Sequence, residues 1–212
     1  MMYEEGEANL NFGCFQQTFP RPWLNMDKLD LAGRIKYTDH AFMQLDVLSG
    51  LPFEDNTIEK IYHSHMLEHF NITDGLYFLE ECHRIMKDDA VMRISVPDIS
   101  VLYEKYVTRN MSEFNTTMPN IFEQMDDDMV KLGLIMFGSS GEDCRGEQYA
   151  GHRMIYNYTS LKYLLERVGF KEVKRSVFND EESDVVKSGA YDVCEDHSLI
   201  VEVRKGVEGL DA

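Results

Sequence analysis

The run HSHMLEH, residues 63–69, places His63, His65, Glu68 and His69 within one short stretch. Imidazole titrates near neutral pH and is the commonest protein ligand for metal ions, so such a cluster can take a proton or hold a cation. Three further positions carry types that bind nucleosides. Gly13, Cys14 and Phe15 follow an apolar run, Asp27 closes WLNMD, and Asp46 and Val47 close AFMQLDV. A glycine after a first strand lets the backbone approach a ligand, and an acid ending the second can accept both ribose hydroxyls. A fourth candidate is GHRMIYNYTSL (151–161), with His152, Arg153 and Tyr156. The Arg153 guanidinium is a fork suited to a carboxylate or phosphate.

These residues need a scaffold that gathers them. ANLNFGC (8–14), WLNMD (23–27), AFMQLDV (41–47) and IEKIYHS (58–64) read as four strands. Between the first two, FQQTFPRP leaves room for one turn at most and not a crossover helix. A helix follows the histidine run, with Thr73 as N-cap and Leu76, Leu79, His83 and Met86 on one face. KDD (87–89) turns into a fifth strand, AVMRISV (90–96), stopped by Pro97 and Asp98. Residues 99–150 break the rhythm with two helical patterns, ISVLYEKYV and NIFEQMDDDMVKLGLIMF, and a loop. An insertion there would overlie the carboxyl ends of the strands as a lid. A helix with Leu161, Leu164, Leu165 and Val168 inward follows, capped by Thr159 or Ser160 and stopped at Gly169. KEVKRSVF (171–178) and SLIVEVRK (198–205) close the sheet, joined by an acidic loop expected to be solvated and mobile. Strands alternating with helices imply a mostly parallel sheet. Two late strands in succession imply an antiparallel edge.

Bulk properties narrow the partners. The net charge of −17 over 212 residues repels phosphate backbones and anionic membrane surfaces, so neither nucleic acid nor membrane is expected. A small molecule, or a protein with a basic patch, fits better. The acidic start MMYEEGEANL lacks the apolar core of a signal peptide, and no apolar run approaches membrane-spanning length. Cys14, Cys82, Cys144 and Cys194 lie too far apart for a metal clip. They read as reduced thiols of a cytoplasmic protein, although spacing alone does not decide against a disulfide.

The stretch LPFEDNTIEKIYHSHMLEHF (51–70) resembles the class I S-adenosylmethionine-dependent methyltransferases. It is most similar to their small branch with an LPF, IY, SH and LEH pattern. NFGC is similar to that branch's LNLGCG, and HRMIYNYTSL to its HR-x-x-Y-D-x-x-SL. The resemblance covers about residues 8–98 and 151–205. It implies a Rossmann-like α/β fold with a mostly parallel seven-stranded sheet and an antiparallel edge strand; the chain is expected to form a single domain over 1–212, with a lid-like helical insertion at about 99–150 that the resemblance does not explain. It implies S-adenosylmethionine as cofactor, S-adenosylhomocysteine as product and a small-molecule acceptor. Gly13, Cys14, Phe15, Asp27, Asp46, Val47 and His63 would meet the cofactor. His65, His69 and His152 would be catalytic, and Asp98, Arg153 and Tyr156 would meet the acceptor.

One departure stands out: Phe15 occupies the place of the second glycine. It would crowd the cofactor or cover it, and it motivates the alternative of a methyltransferase-like binding protein without catalysis. A metal-dependent hydrolase using His63, His65 and His69 is the third reading. The spacing of HSHMLEH is one residue longer than in the His-x-His-x-Asp-His run of metallo-β-lactamase-like hydrolases, and its acid is Glu68, so no metal is expected there. The Met- and Phe-rich insertion would serve either an apolar acceptor pocket or a homodimer contact.

Overall fold

The computed structural model describes residues 9–15, 17–31, 33, 39–111, 125–137, 141–142, 148–149 and 151–206. NIFEQ, the first five residues of NIFEQMDDDMVKLGLIMF, and Cys144 fall outside these residues. In chain order, strands β1 (Asn9–Phe12), β2 (Trp23–Asp27), β3 (Ala41–Gln44) and β4 (Ile58–Ser64) lead to helix α1 (Ile72–Ile85) and strand β5 (Met86–Pro97). Helices α2 (Ile99–Val107) and α3 (Asp128–Phe137) follow, then a two-stranded ribbon of β6 (Gly141–Glu142) and β7 (Gln148–Tyr149). Helix α4 (Tyr158–Val168), strand β8 (Lys171–Arg175), the short helix α5 (Asp184–Lys187) and strand β9 (Ser198–Arg204) complete the order.

The seven long strands form one sheet in the order β3-β2-β1-β4-β5-β9-β8. Strands β1 to β5 pair in parallel. β9 runs antiparallel between β5 and β8, so the reversed pairing occupies that end of the sheet. The order reverses at β1, which lies between β2 and β4. Ligands of open α/β sheets bind outside the strands' carboxyl ends at such a switch point.

Burial follows the pattern of apolar residues. Leu10, Phe12, Ile61, Ile94 and Val201 are fully buried, and the α1 face of Phe78, Leu79, Cys82 and Ile85 covers them together with Leu161 and Leu165 of α4. On the other side of β1 and β2, buried asparagines replace apolar residues. Asn25 Nδ2 donates to Phe19 O (2.8 Å) and Ala41 O (2.9 Å), and Asn11 Nδ2 donates to Gln17 O (2.7 Å). The β1–β2 connection is therefore held by side-chain hydrogen bonds, which explains why no crossover helix is needed there. Phe19 then packs edge-on to Trp23 and Tyr62.

Several elements differ from the sequence reading. β3 stops at Gln44 because the Asp46 carboxylate accepts the Leu48 N–H (3.1 Å) and caps a 3-10 turn. Asn71, not Thr73, caps α1, accepting the Asp74 N–H at 2.9 Å. Asn157 caps α4 in a reciprocal box with Ser160. KDD lies inside β5, where the pairing with β4 shifts register between Ile58 and Lys60. The buried face of α1 includes Phe78 and Cys82, while Met86 already belongs to β5.

The acidic loop between β8 and β9 is pinned, not loose. Arg93 on β5 is fully buried; its Nε donates to Asp192 (2.9 Å), Nη1 to Ser176 and Glu202 (2.8 Å each), and Nη2 to Val177 O (2.8 Å). Val185 and Ala190 are buried beside Phe19, Trp23 and Tyr62. No helix among the described residues is long and apolar enough to cross a membrane. Cys14, Cys82 and Cys194 are free thiols.

Truncating Arg93 leaves buried carboxylates without their cation, which costs about 3–5 kcal/mol. Arg93→Ala should lower stability by that amount in urea denaturation. An unchanged midpoint would show that the network contributes nothing.

Candidate active site at the carboxyl edge

Three strand ends meet at the switch point. Gly13 follows β1 with φ +63°, and a Cβ there would stand 2.7 Å from Met66 Sδ. The positive φ favours glycine, and a Cβ there would push the Met66 side chain aside. Phe15 also has positive φ (42°), which turns its N–H to Asp27 Oδ2 at 2.9 Å. The Leu29 N–H donates to the other oxygen, Oδ1, at 2.9 Å. Asp27 is thereby fixed at the end of β2, with lone pairs left on both oxygens for further donors. Beyond it, Lys28 Nζ lies 2.8 Å from Asp46 Oδ2 and holds that carboxyl below its ordinary range. Val47 is buried behind Asp46, while the Phe15 ring is 45% exposed. Cys14 is buried, and burial together with the Asp27 charge pushes its thiol pKa up.

The histidine tip sits beside this edge, beyond β4. His65 has φ +50°, and a 3-10 turn, Leu67–His69, follows. Glu68 is 1% exposed, and neither carboxylate oxygen has a hydrogen-bond partner. His65 Nδ1 lies 3.3 Å from Glu68 Oε1, and His65 Nε2 lies 2.8 Å from Ser198 Oγ, whose hydroxyl donates to Cys194 O. Both ring nitrogens of His65 thus face acceptors, the arrangement of an imidazolium. Burial opposes that charge, but Cys194 and Glu68 beside the ring raise the pKa to about 10. Burial also works against the Glu68 charge, but His65 and His69 outweigh it and hold its carboxyl below the ordinary range.

The segment after the ribbon closes over this tip. The N–H groups of Arg153 and Met154 both donate to the Glu68 carbonyl, at 2.8 and 3.1 Å. That clamp sets the His152 ring edge-on to His69, centroids 4.9 Å apart. Burial pushes the His152 pKa down. Arg153 is exposed.

Not every expected site residue arrives here. His63 is fully buried against Phe78, with no hydrogen-bond partner on either nitrogen, and burial pushes its pKa down to about 4. It belongs to the core and offers the cofactor no surface. Tyr156 is also core, 2% exposed, and bridges by backbone to Asp98. Asp98 caps α2, accepting the Ser100 N–H at 2.9 Å, and lies 3.6 Å from Arg175, so its carboxylate serves the fold. His63, His65 and His69 do not converge on one point. Two other triplets bring ligand atoms within 4.8 Å of one another: Glu68, His69 and His152, and His65, Cys194 and His197. Cys194 and His197 escaped the sequence reading because only the place of β9 beside β5 brings them in.

Residues 24–94 match the family described as a methyltransferase domain. Comparison with curated proteins gives no match. Among solved structures the fold is similar to a SAM-dependent methyltransferase from Archaeoglobus fulgidus, at TM-score 0.53 and 14% identity over 92% of this chain and 85% of that one. It is similar to a SAM-dependent methyltransferase from Methanosarcina mazei, at TM-score 0.52 and 13% identity over 94% and 92%. The DhpI–SAH complex gives TM-score 0.53 and 11% identity over 93% and 76%.

Proton linkage offers a check on the buried ring. Unfolded histidine titrates near 6.5; folded His63 does so near 4. Between these values the unfolded chain binds the extra proton, so stability falls as pH drops from about 6.5 to 4. His65 acts oppositely: its contribution is complete below about 6.5 and is lost as pH rises towards about 10. His63→Leu should therefore lose less stability than the natural chain between pH 7 and pH 4 in urea titrations, by a difference of order 3 kcal/mol. Identical losses in both proteins would mean that His63 is not a buried neutral ring.

Proposed function

We propose, from the premise that residues 24–94 are a methyltransferase domain on the class I S-adenosylmethionine-dependent methyltransferase fold, that the protein transfers a methyl group from S-adenosylmethionine to a small-molecule acceptor. The observation that carries this is the convergence of Gly13, Asp27 and Asp46 at the carboxyl ends of three neighbouring parallel strands. Asp27 would accept the ribose hydroxyls on its remaining lone pairs. Asp46 and Val47 would meet the adenine, and the Gly13–Phe15 backbone would run beside the methionine portion. The donor set fits a nucleoside with two adjacent hydroxyls. When bound, S-adenosylmethionine supplies an already activated methyl group, so the protein's task is alignment of acceptor and sulfonium.

The acceptor side would be formed by His69, His152 and Arg153. His65 turns Nδ1 to Glu68 Oε1 (3.3 Å) and Nε2 to Ser198 Oγ (2.8 Å), so both nitrogens face acceptors within the protein, and its role would be to position Glu68. Helices α2 and α3 pack against one another. Leu102, Met111 and Leu132 form an apolar cluster of their own, apart from the main core.

Asp27→Ala should weaken S-adenosylhomocysteine binding by about 1–3 kcal/mol in calorimetry, the range for losing hydrogen bonds to a charged group. Unchanged affinity would remove Asp27 from the site. Phe15→Gly should tighten binding, since glycine adopts the positive φ without strain and removes the ring. Weaker binding in that variant would make the ring a wall of the site.

A further inference from the structure

The structure assigns Glu68, His69 and His152 a role beyond contact with an acceptor: we propose that they form a site for one divalent transition-metal ion of the zinc, manganese or iron type. Their ligand atoms already lie within 4.8 Å of one another. The three come from two segments, joined where Arg153 and Met154 donate to the Glu68 carbonyl. The His152 N–H donates to Phe137 O (2.7 Å), tying the same segment to the end of α3. The backbone therefore holds the imidazoles against the carboxylate.

Glu68 is the independent sign that a ligand belongs there. Its carboxylate is 1% exposed, and neither oxygen has a hydrogen-bond partner. Buried carboxylates are normally satisfied by several donors or by a cation. His65 reaches only one oxygen, at 3.3 Å. Two imidazoles and one carboxylate form a borderline donor set that suits Zn²⁺, Mn²⁺ or Fe²⁺. The all-oxygen shells of Ca²⁺ and most Mg²⁺ sites are not available here. Three protein ligands leave a coordination position open, as in catalytic zinc sites. His65, whose Nδ1 lies 3.3 Å from Glu68 Oε1, would orient the carboxylate.

The neighbouring triplet His65, Cys194 and His197 is the weaker candidate. The nitrogens of His65 already face Glu68 and Ser198, so ligation would break one of those contacts. If the methyltransferase reading holds, an ion at Glu68 stands on the acceptor side. There it would bind an acceptor oxygen and lower its pKa, easing proton loss as the methyl group arrives. That use rests on the proposed function; the binding of the ion does not.

The test uses the full chain, stripped with chelator and reloaded with Zn²⁺ alone. Elemental analysis after gel filtration should find one equivalent. X-ray absorption at the zinc edge should show two imidazoles and oxygen, with no sulfur. His152 is only half-buried, so His152→Ala should keep the melting profile and lose zinc affinity by more than the roughly 10–100-fold typical of an outer partner. His197→Ala should retain the ion. Absence of stoichiometric zinc in the natural chain would overturn the proposal. So would sulfur in the spectrum, or zinc lost in His197→Ala and kept in His152→Ala. Calorimetry with S-adenosylhomocysteine on the same samples separates the two readings. Nucleoside binding without zinc overturns only the metal site, and zinc binding without nucleoside overturns only the proposed function.

Discussion

A carboxylate taken out of water must find compensating charge or donors, and the carboxyl edge of this sheet is organised around one. Glu68 is 1% exposed at the turn after β4, and His65, His69 and His152 surround it. Its own carbonyl anchors the segment that returns over the edge, through the N–H groups of Arg153 and Met154. One residue thus couples the strand tip, the closing segment and the local electrostatics. Moving Glu68 would release His152 from His69 and leave His65 without its counter-charge.

The remainder of the sheet makes that placement possible. β9 inserted beside β5 brings Ser198 under His65 and sets Cys194 and His197 alongside. The loop before β9 reaches there because Arg93 draws in Asp192 and the start of the loop at Ser176 and Val177. On the opposite flank, Asn25 secures the β1–β2 connection, so that Gly13 and Asp27 come together through the Phe15 N–H. The Gly13–Asp27 corner and the histidine cluster therefore lie along one edge of the sheet.

Much of this was legible in the residues themselves. WLNMD and IEKIYHS coincide with β2 and β4, short segments whose Trp23, Leu24, Met26, Ile58, Ile61 and Tyr62 are buried. α4 was legible from its leucine spacing and Gly169, which adopts φ +117°. Local capping was harder. Asn71 and Thr73 are both good caps, and only the Asp74 N–H decides between them. Side-chain direction was harder still. His63 and His65 look equivalent in a strand, yet one packs on Phe78 and the other turns out at a positive φ. Tyr156 and Asp98 carry useful groups, but a backbone bridge commits both to the fold. His197 gave no local signal, since its place beside His65 depends on a strand order that appears only in three dimensions.

Hydrogen exchange with mass spectrometric readout, with and without S-adenosylhomocysteine, tests the central claim most directly. Binding at the switch point predicts added protection in peptides covering Gly13–Gln17, Asp27–Leu31 and Gln44–Gly50, with β8 and α5 unchanged. No added protection in those three stretches at saturating nucleoside, or protection confined to the far end of the sheet, would contradict the account.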